Sequence, residues 1–335
     1  MIAQSGVSFV NQWFDQYWLV LVTKAAIVLI FFLVAPLGVG YAEHKVLAHM
    51  QGRLGPMYAG RFHGWAQLLA DGVKFVQKED VIPAAADRWV FSLAPAVWLV
   101  PYIALFVVIP FSDEIFILNL DVGIFFVMAI TSVTVIGVLM AGWASANKFS
   151  LIGALRAAAQ LIAYELPLVL GAAAIVMQAG TLSMIGIVEA QQQYWFAISQ
   201  PIGLGIFLVA SLAELSRPPF DMPVADSEIV FGAFTEYTGL KFAFYLLAEY
   251  GGIVAFAAVA SVLYLGGYLP LPAMEFIPEP LWMLAKIGAL SFLIIWLRVT
   301  YPRLREDQLQ RVSWLVLIPL ALLQIMVVGV LKVAI

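Results

Sequence analysis

The residues of this sequence with the clearest capacity for chemistry lie between 214 and 241, in a stretch that begins ELSRPPFDMPVADSE. Only two cations, Arg217 and Lys241, accompany its carboxylates. The carboxylates are Glu214, Asp221, Asp226, Glu228 and Glu236. When carboxylates crowd together in a low dielectric, some of their pKa values rise, and such groups exchange protons near neutral pH. The pattern favours a proton-handling segment, and a water-exposed acidic loop is the alternative.

The same stretch has the backbone of a packed, non-helical segment. Three prolines, at 218, 219 and 223, end the preceding helix and prevent a regular replacement. We expect segment 214–240 to pack on protein with its carboxylates lining a wet cavity, and Arg217 to orient Asp221 four residues later. A solvated loop would not need its large apolar residues, which are Phe220, Met222, Ile229, Val230, Phe231 and Phe234.

Carboxylates also occur inside long apolar runs. Glu165 follows Tyr164 in one run, and Glu249 lies near the middle of another. A charge at the centre of a bilayer costs about 2.5–3.5 kcal/mol, so such groups usually face a protein interior and mark an ion or proton path. Lys241 precedes Glu249 by eight residues and shares its helix face. We therefore predict a proton path through Glu165, Glu214 and Glu249, with Tyr164 and Lys241 beside it; structural pairing is the alternative.

The elements that must position these residues are membrane helices. The chain has 335 residues, of which 63% are hydrophobic and 11% charged, which excludes an ordinary soluble domain. A bilayer core of roughly 30 Å takes about 20 apolar residues per helix, and continuous runs exclude the alternating strands of a β-barrel. An all-α membrane protein of a single domain, 1–335, is predicted. Its eight runs lie near 18–40, 91–111, 122–145, 157–179, 198–216, 240–265, 281–300 and 312–333.

The basic residues predict the orientation of these helices. All of the 17 Lys and Arg residues except Lys24, Lys286 and Lys332 fall between 45 and 88, 148 and 156, 217 and 241, or 298 and 311. The other connections have none, so the positive-inside rule places the basic set in the cytoplasm. Eight spans with both termini outside satisfy the rule.

The first cytoplasmic segment, 41–90, contains a second type of helix. Gln67, Asp71, Lys74 and Lys78 occupy one side of the pattern. The other side is apolar at helical spacing and comprises Trp65, Leu68, Leu69, Val73 and Val76. This pattern predicts an amphipathic helix over 64–79 that lies in the membrane interface. It either walls an opening to the membrane interior or floats on a solvated loop.

Composition argues against several kinds of cofactor. The chain has no cysteine, so it cannot by itself hold an iron–sulfur cluster or a zinc–thiolate site. Its three histidines, at 44, 49 and 63, lie outside the predicted spans, which disfavours membrane haem. Phosphate-binding glycine motifs are absent, and no nucleic-acid partner is expected. We predict no cofactor bound by this chain.

Five motifs in order give the chain a specific resemblance. They are YAEHKVLAHMQGRLGP, DGVKFVQKEDVIP, LRAAAQLIAYELPL, AELSRPPFDMP and FTEYTGLKFAFYLLAEY, between residues 41 and 250. With the eight-span plan, they resemble the quinone-site membrane subunit of respiratory complex I. That family comprises the H subunit of bacterial NADH:quinone oxidoreductase and chain one of the mitochondrial NADH-ubiquinone oxidoreductase.

The resemblance implies a role and a location. Electrons from NADH would pass through flavin and iron–sulfur clusters in partner subunits to a quinone such as ubiquinone. The quinone would reach the site from the bilayer through this chain and be reduced at the junction with two peripheral subunits. Reduction would drive proton translocation, with small neighbouring membrane subunits and lipid as further partners. The chain would be a multi-pass protein of the cell inner membrane and a translocase subunit without a redox centre.

The resemblance also implies sites. The acidic funnel would comprise Arg217 and the carboxylates from Asp221 to Glu236, whereas the family pattern is altered at His44, Leu215, Ser216, Val224 and Phe234. The quinone portal and docking surface would use Glu43, Lys45, Arg53, Trp65, Asp71, Lys74 and Glu79.

Two alternatives remain at this point. The equivalent subunit of a ferredoxin- or F420-dependent quinone reductase, or of a membrane-bound hydrogenase, would have a similar core. A stand-alone secondary transporter is disfavoured, because no internal repeat is found.

Overall fold

The computed structural model describes residues 17–224, 226–271 and 276–334, and for Tyr17, Trp18, Asp226 and Ser227 the backbone alone. The described residues form helices and irregular segments and contain no strand. Nine helices of more than ten residues organise them: α1 (Tyr17–Met50), α2 (Gln67–Gln77), α3 (Arg88–Leu105), α4 (Gly123–Ala144), α5 (Lys148–Ala179), α6 (Pro201–Glu214), α7 (Gly239–Tyr264), α8 (Glu279–Thr300) and α9 (Glu306–Ala334).

The predicted all-α membrane architecture is confirmed. Seven of these helices, all except α2 and α6, are long and apolar enough to cross a membrane. The predicted run at 198–216 is instead the 14-residue helix α6, which follows a short helix at Phe196–Ser199. At 1.5 Å per residue, α6 is about 21 Å long and falls short of the bilayer core. The number of crossings and the side of the termini therefore stay predictions.

Several helices extend beyond the apolar runs that predicted them. α1 continues through Pro36 to Met50, so the first ten residues of segment 41–90 belong to this helix. α5 begins at Lys148, where the Asn147 side chain caps it by accepting a hydrogen bond from the Phe149 amide at 2.9 Å. Both helices therefore carry polar residues well beyond their apolar stretches.

Helix α7 is the centre of the fold. Every residue from Gly251 to Tyr264 is buried, and the helix packs on α1, α3 and α8. Gly251 permits the contact with α1, because a Cβ atom there would lie 2.5 Å from the ring of Phe32. The N-terminal half of α7 is less enclosed and carries the polar residues described below.

Helix α2 lies where the amphipathic helix is predicted but is shorter than the expected 64–79. Gly64 has φ +70°, and a Cβ there would lie 2.4 Å from the Pro56 carbonyl, so this residue turns before the helix begins. Leu69, Val73 and Val76 form an exposed apolar face, and no residue of α2 is buried. An exposed apolar face on a peripheral helix suits the membrane interface.

The acidic segment, residues 214–240, is packed on the protein. Phe220, Met222 and Ile229 are buried as expected, whereas Val230 and Phe231 are exposed at the surface. The Gln160 side chain of α5 anchors the segment by donating to the carbonyls of Ala213 and Phe220 at 2.6 and 2.8 Å. Between α6 and α7, the described residues of the segment form a short helix at Asp226–Ile229 and a 3-10 turn at Gly232–Phe234.

Candidate functional site

A largely buried ion network joins α1, α7 and α8 to the beginning of the acidic segment. The Glu43 carboxylate of α1 accepts hydrogen bonds from Arg217 and from Arg298 of α8. Nη2 of Arg217 also lies 2.9 Å from Oε1 of Glu249 in α7. Arg217 is fully buried and Glu43 is 3% exposed. We call Glu43, Arg217, Glu249 and Arg298 the buried ion network.

The network compensates charges that would otherwise be costly to bury. Two arginines face two glutamates, and Arg217 bridges both carboxylates with one planar guanidinium. Arg217 pairs with Glu43 and Glu249, and the orientation of Asp221 by Arg217 stays a prediction. Local spacing predicted the nearby partner, whereas folding supplies partners from α1 and α7.

Two of the three predicted proton-path carboxylates, Glu165 and Glu214, accept hydrogen bonds from α4. Oγ1 of Thr134 donates to Glu214 at 3.4 Å, and Ser132 on the same helix donates to Glu165. Glu214 is 3% exposed and interacts electrostatically with Glu165. The buried Tyr102 interacts with both Glu214 and Glu249. Tyr102 therefore lies within electrostatic range of Glu249 and Glu214, and Glu214 within that of Glu165.

A cavity of about 480 Å³ opens between α1, α2 and α7. Its apolar lining consists of Leu68, Phe75 and Leu246. Its remaining lining consists of His44, Asp71, Lys74, Lys78 and Tyr250. The Tyr250 ring also lies 4.9 Å from the Arg217 guanidinium carbon, so one side chain faces both the cavity and the buried ion network. A mixed lining of this kind suits a ligand with a polar ring and an apolar tail.

The predicted portal residues divide into three groups. Asp71 and Lys74 line the cavity, whereas Glu43 belongs to the buried ion network. The remaining four lie outside the cavity lining and the network. Lys45 donates to the Pro56 carbonyl, and Arg53 donates to Gln51 at 2.9 Å. Trp65 donates to the Gly60 carbonyl at 3.1 Å, and Glu79 is exposed.

The loop before α2 presents a surface rather than a cavity wall. Tyr58 and Phe62 are 95% and 74% exposed, and Arg53 and Arg61 are exposed beside them in the chain. Exposed aromatic and arginine side chains are typical of protein interfaces.

Two residues predicted for the proton path are held elsewhere. The Tyr164 hydroxyl donates to the Leu309 carbonyl at 2.9 Å, which ties α5 to α9. The Lys241 ammonium lies 2.7 Å from Oδ2 of Asp80, after the end of α2. The place of Tyr164 and Lys241 in a proton path stays a prediction.

The carboxylates of the predicted acidic funnel have different neighbours and different exposures. Asp221 is half-buried, and Glu236 accepts a hydrogen bond from Asn147 at 2.5 Å. Glu228 lies 2.5 Å from Arg156 and 3.8 Å from Arg303. The Arg156 hydrogen bond lowers the pKa of the exposed Glu228 carboxyl, which therefore stays ionised at neutral pH. The side chain of Asp226 lies outside the described part of the chain.

Sequence reasoning missed Tyr102, Thr134, Ser132 and Arg298 as neighbours of the carboxylates. Buried hydroxyls in apolar runs are common, so they carry no individual signal. Arg298 was counted only as a cytoplasmic charge. Among the described residues, no group of three or more His, Cys, Asp or Glu could hold a metal ion.

Comparison with known proteins agrees with this architecture. The sequence model of the family described as NADH dehydrogenase matches residues 23–329. The NADH-quinone oxidoreductase H subunit of Bacillus cytotoxicus is 46% identical over 291 residues, which cover 87% of each chain. The H subunits of Anoxybacillus flavithermus and Geobacillus kaustophilus are each 45% identical with the same coverage. The resemblance seen in the sequence is confirmed: the chain belongs to the NADH dehydrogenase family that contains the H subunits of NADH-quinone oxidoreductase.

Proposed function

We propose that this chain is the membrane subunit through which quinone reaches an NADH:quinone oxidoreductase and through which quinone reduction is coupled to proton translocation. The names of its relatives support the enzyme class. They also favour an NADH-linked complex over a ferredoxin- or F420-dependent one. The helices of the chain are consistent with a multi-pass position in a bacterial inner membrane.

The observation that carries the proposal is the shared wall between the cavity and the buried ion network. Tyr250 lines the cavity with one part of its surface and lies over Arg217 with its ring. Arg217 in turn holds Glu43 and Glu249. Tyr250 is therefore the side chain that separates the cavity from Arg217. A charge or a ring that binds beside Tyr250 in the cavity changes the electrostatic potential at Arg217.

The coupling follows from electrostatics. A quinone that is being reduced gains negative charge and takes up protons, which weakens the hold of Arg217 on Glu249. In the proposed relay a proton then passes along Glu249, Tyr102, Glu214 and Glu165, whose successive members lie within electrostatic range of one another. Moving one charge across about 100 mV costs roughly 2.3 kcal/mol, so the relay must be driven by a downhill reaction such as quinone reduction.

Partner subunits supply the remaining parts of the enzyme. Flavin and iron–sulfur clusters would lie in peripheral subunits, since this chain contains no cysteine. The exposed aromatic and basic loop at 53–65 is the docking surface for those subunits. Small membrane subunits would receive protons beyond Glu165, whose neighbours Ile162 and Leu166 are exposed on α5.

Filling the cavity tests the proposal. Leu246→Trp adds a large ring to the cavity wall and is expected to lower quinone reductase activity by about tenfold, mainly by raising KM for a quinone analogue. NADH oxidation by an artificial hydrophilic acceptor should be unchanged, because it does not use the membrane arm. Leu315→Trp on the exposed surface of α9 is the matched control. Equal effects of the two substitutions on KM would contradict the proposal.

A further inference from the structure

Helix α2 forms one wall of the cavity without being held by a buried side chain. All eleven of its residues are at least partly exposed. Its apolar contacts are peripheral: Leu68 lies against Gly40 of α1, and the Phe75 ring lies 5.8 Å from that of Phe242. Because little apolar surface is enclosed, the position of α2 depends strongly on the polar contacts at its ends.

Those contacts are concentrated where the chain leaves α2. Oγ1 of Thr238 accepts a hydrogen bond from the Val81 amide at 3.2 Å and lies 3.3 Å from the Glu79 carbonyl, to which it donates. Lys241 lies 2.7 Å from Asp80. Residues 79–81 are thus fastened to the beginning of α7 by one hydroxyl and one ammonium group. We call Thr238 and Lys241, with residues 79–81, the clamp.

Gly239 brings the two segments of the clamp together. Its φ is +56°, a conformation that glycine adopts without strain. A Cβ atom at this position would lie 3.1 Å from the Lys78 carbonyl and 3.4 Å from the Glu79 carbonyl. The backbone of α7 therefore approaches the last turn of α2 as closely as a glycine allows.

We propose that Thr238 and Lys241 are positioning residues that fix the end of α2 and thereby set the width of the cavity. Phe75 and Lys78 line the cavity and lie within a few residues of the clamp. The clamp also links the cavity to the acidic segment, because Phe242 contacts both Phe75 and Phe231, the latter ring at 5.6 Å. This inference rests on the proposed function, in which quinone passes through the cavity.

The first test removes the hydroxyl of Thr238 and keeps its shape. Thr238→Val in the assembled complex is expected to raise KM for a quinone analogue by about three- to tenfold with little change in kcat, because the cavity wall loses its fixed position. Thr238→Ser keeps the hydroxyl, so its KM should stay close to that of the unsubstituted complex. Thr181→Val, which removes the acceptor of the Ser183 amide hydrogen bond outside the clamp, is the control.

The second test fixes the clamp covalently. The chain contains no cysteine, so Val81→Cys combined with Thr238→Cys introduces a unique pair on the two segments that the hydrogen bond from the Val81 amide to the Thr238 hydroxyl joins. Oxidation of this pair should hold α2 in place and give a KM close to that of the unsubstituted complex, whereas the reduced pair should show the raised KM of Thr238→Val. A KM that does not respond to oxidation in a pair shown to be cross-linked would overturn the inference.

The outcomes separate the clamp from the cavity itself. If Thr238→Val lowers only the amount of complex and leaves KM per complex unchanged, the clamp is structural and the inference fails. If Leu246→Trp raises KM but Thr238→Val does not, the cavity admits quinone without help from the clamp, and the inference fails while the proposed function stands. If neither substitution changes KM, the proposed function of the cavity fails as well.

Discussion

Arg217→Ala should remove most of the assembled complex from membranes. Arg217 is fully buried and is the guanidinium that holds Glu249 and one oxygen of Glu43. Breaking a fully buried pair costs about 3–5 kcal/mol, because the remaining charge is left uncompensated, and the cost here is smaller because Glu249 is 34% exposed and partly hydrated. Arg298 would still neutralise Glu43, but Glu249 would lose its partner. Even a cost of a few kcal/mol is a large fraction of the roughly 5–15 kcal/mol by which a typical domain is stable.

The measurement is the level of intact complex on native gels. Arg156→Ala is the matched control, since Arg156 pairs with the half-exposed Glu228 and its loss should cost little. Arg217→Lys should give an intermediate level, because an ammonium group cannot bridge two carboxylates as a planar guanidinium does. Normal complex levels in Arg217→Ala would mean that the buried ion network is not needed for assembly.

Glu214→Gln should leave the complex assembled but lower its activity, the opposite of the effect expected for Arg217→Ala. The amide keeps the shape of the side chain and can still accept a hydrogen bond from Thr134, so the complex should assemble. The substitution removes a titrating group from the middle of the series Glu249, Tyr102, Glu214 and Glu165. Inhibitor-sensitive quinone reductase activity and proton translocation should therefore fall together by about tenfold or more.

A surface carboxylate provides the control for Glu214→Gln. Glu228→Gln removes an acid of the same segment whose hydrogen bond with Arg156 keeps it ionised. Its activity should stay near that of the unsubstituted complex. If Glu214→Gln retains full activity and full proton translocation, the acidic segment is a docking loop and the proposed relay is wrong.

The fold was predictable where apolar composition alone decides it. Seven long apolar helices follow from continuous hydrophobic runs, because an unbroken run of that length has few other stable arrangements in lipid. The run at 198–216 was predicted too long, since Pro201 begins a new helix after a break at Gln200. Composition also missed the polar extension of α1 to Met50, which hydropathy cannot distinguish from a loop.

The site was predictable to the extent that single residues were unusual for their surroundings. Glu165, Glu214 and Glu249 stood out because carboxylates are rare in apolar runs. The partner of Arg217 could not be predicted, because Glu43 is 174 positions away and the pairing exists only in the folded chain. An opening beside the amphipathic helix was predicted, with Asp71 and Lys74 among its residues, whereas Phe75 and Leu246 are ordinary apolar residues until α2 and α7 bring them together.

The most direct test of the central claim is photo-labelling of the assembled complex with a photoreactive quinone analogue, followed by mass spectrometry of the labelled peptides. If quinone passes through the cavity, label should appear in this chain on α2 between Gln67 and Gln77 or on α7 near Leu246 and Tyr250. An excess of unlabelled quinone should abolish it, and Leu246→Trp should reduce it. Competable label in the complex that avoids both helices would contradict the claim that the cavity is the route of quinone.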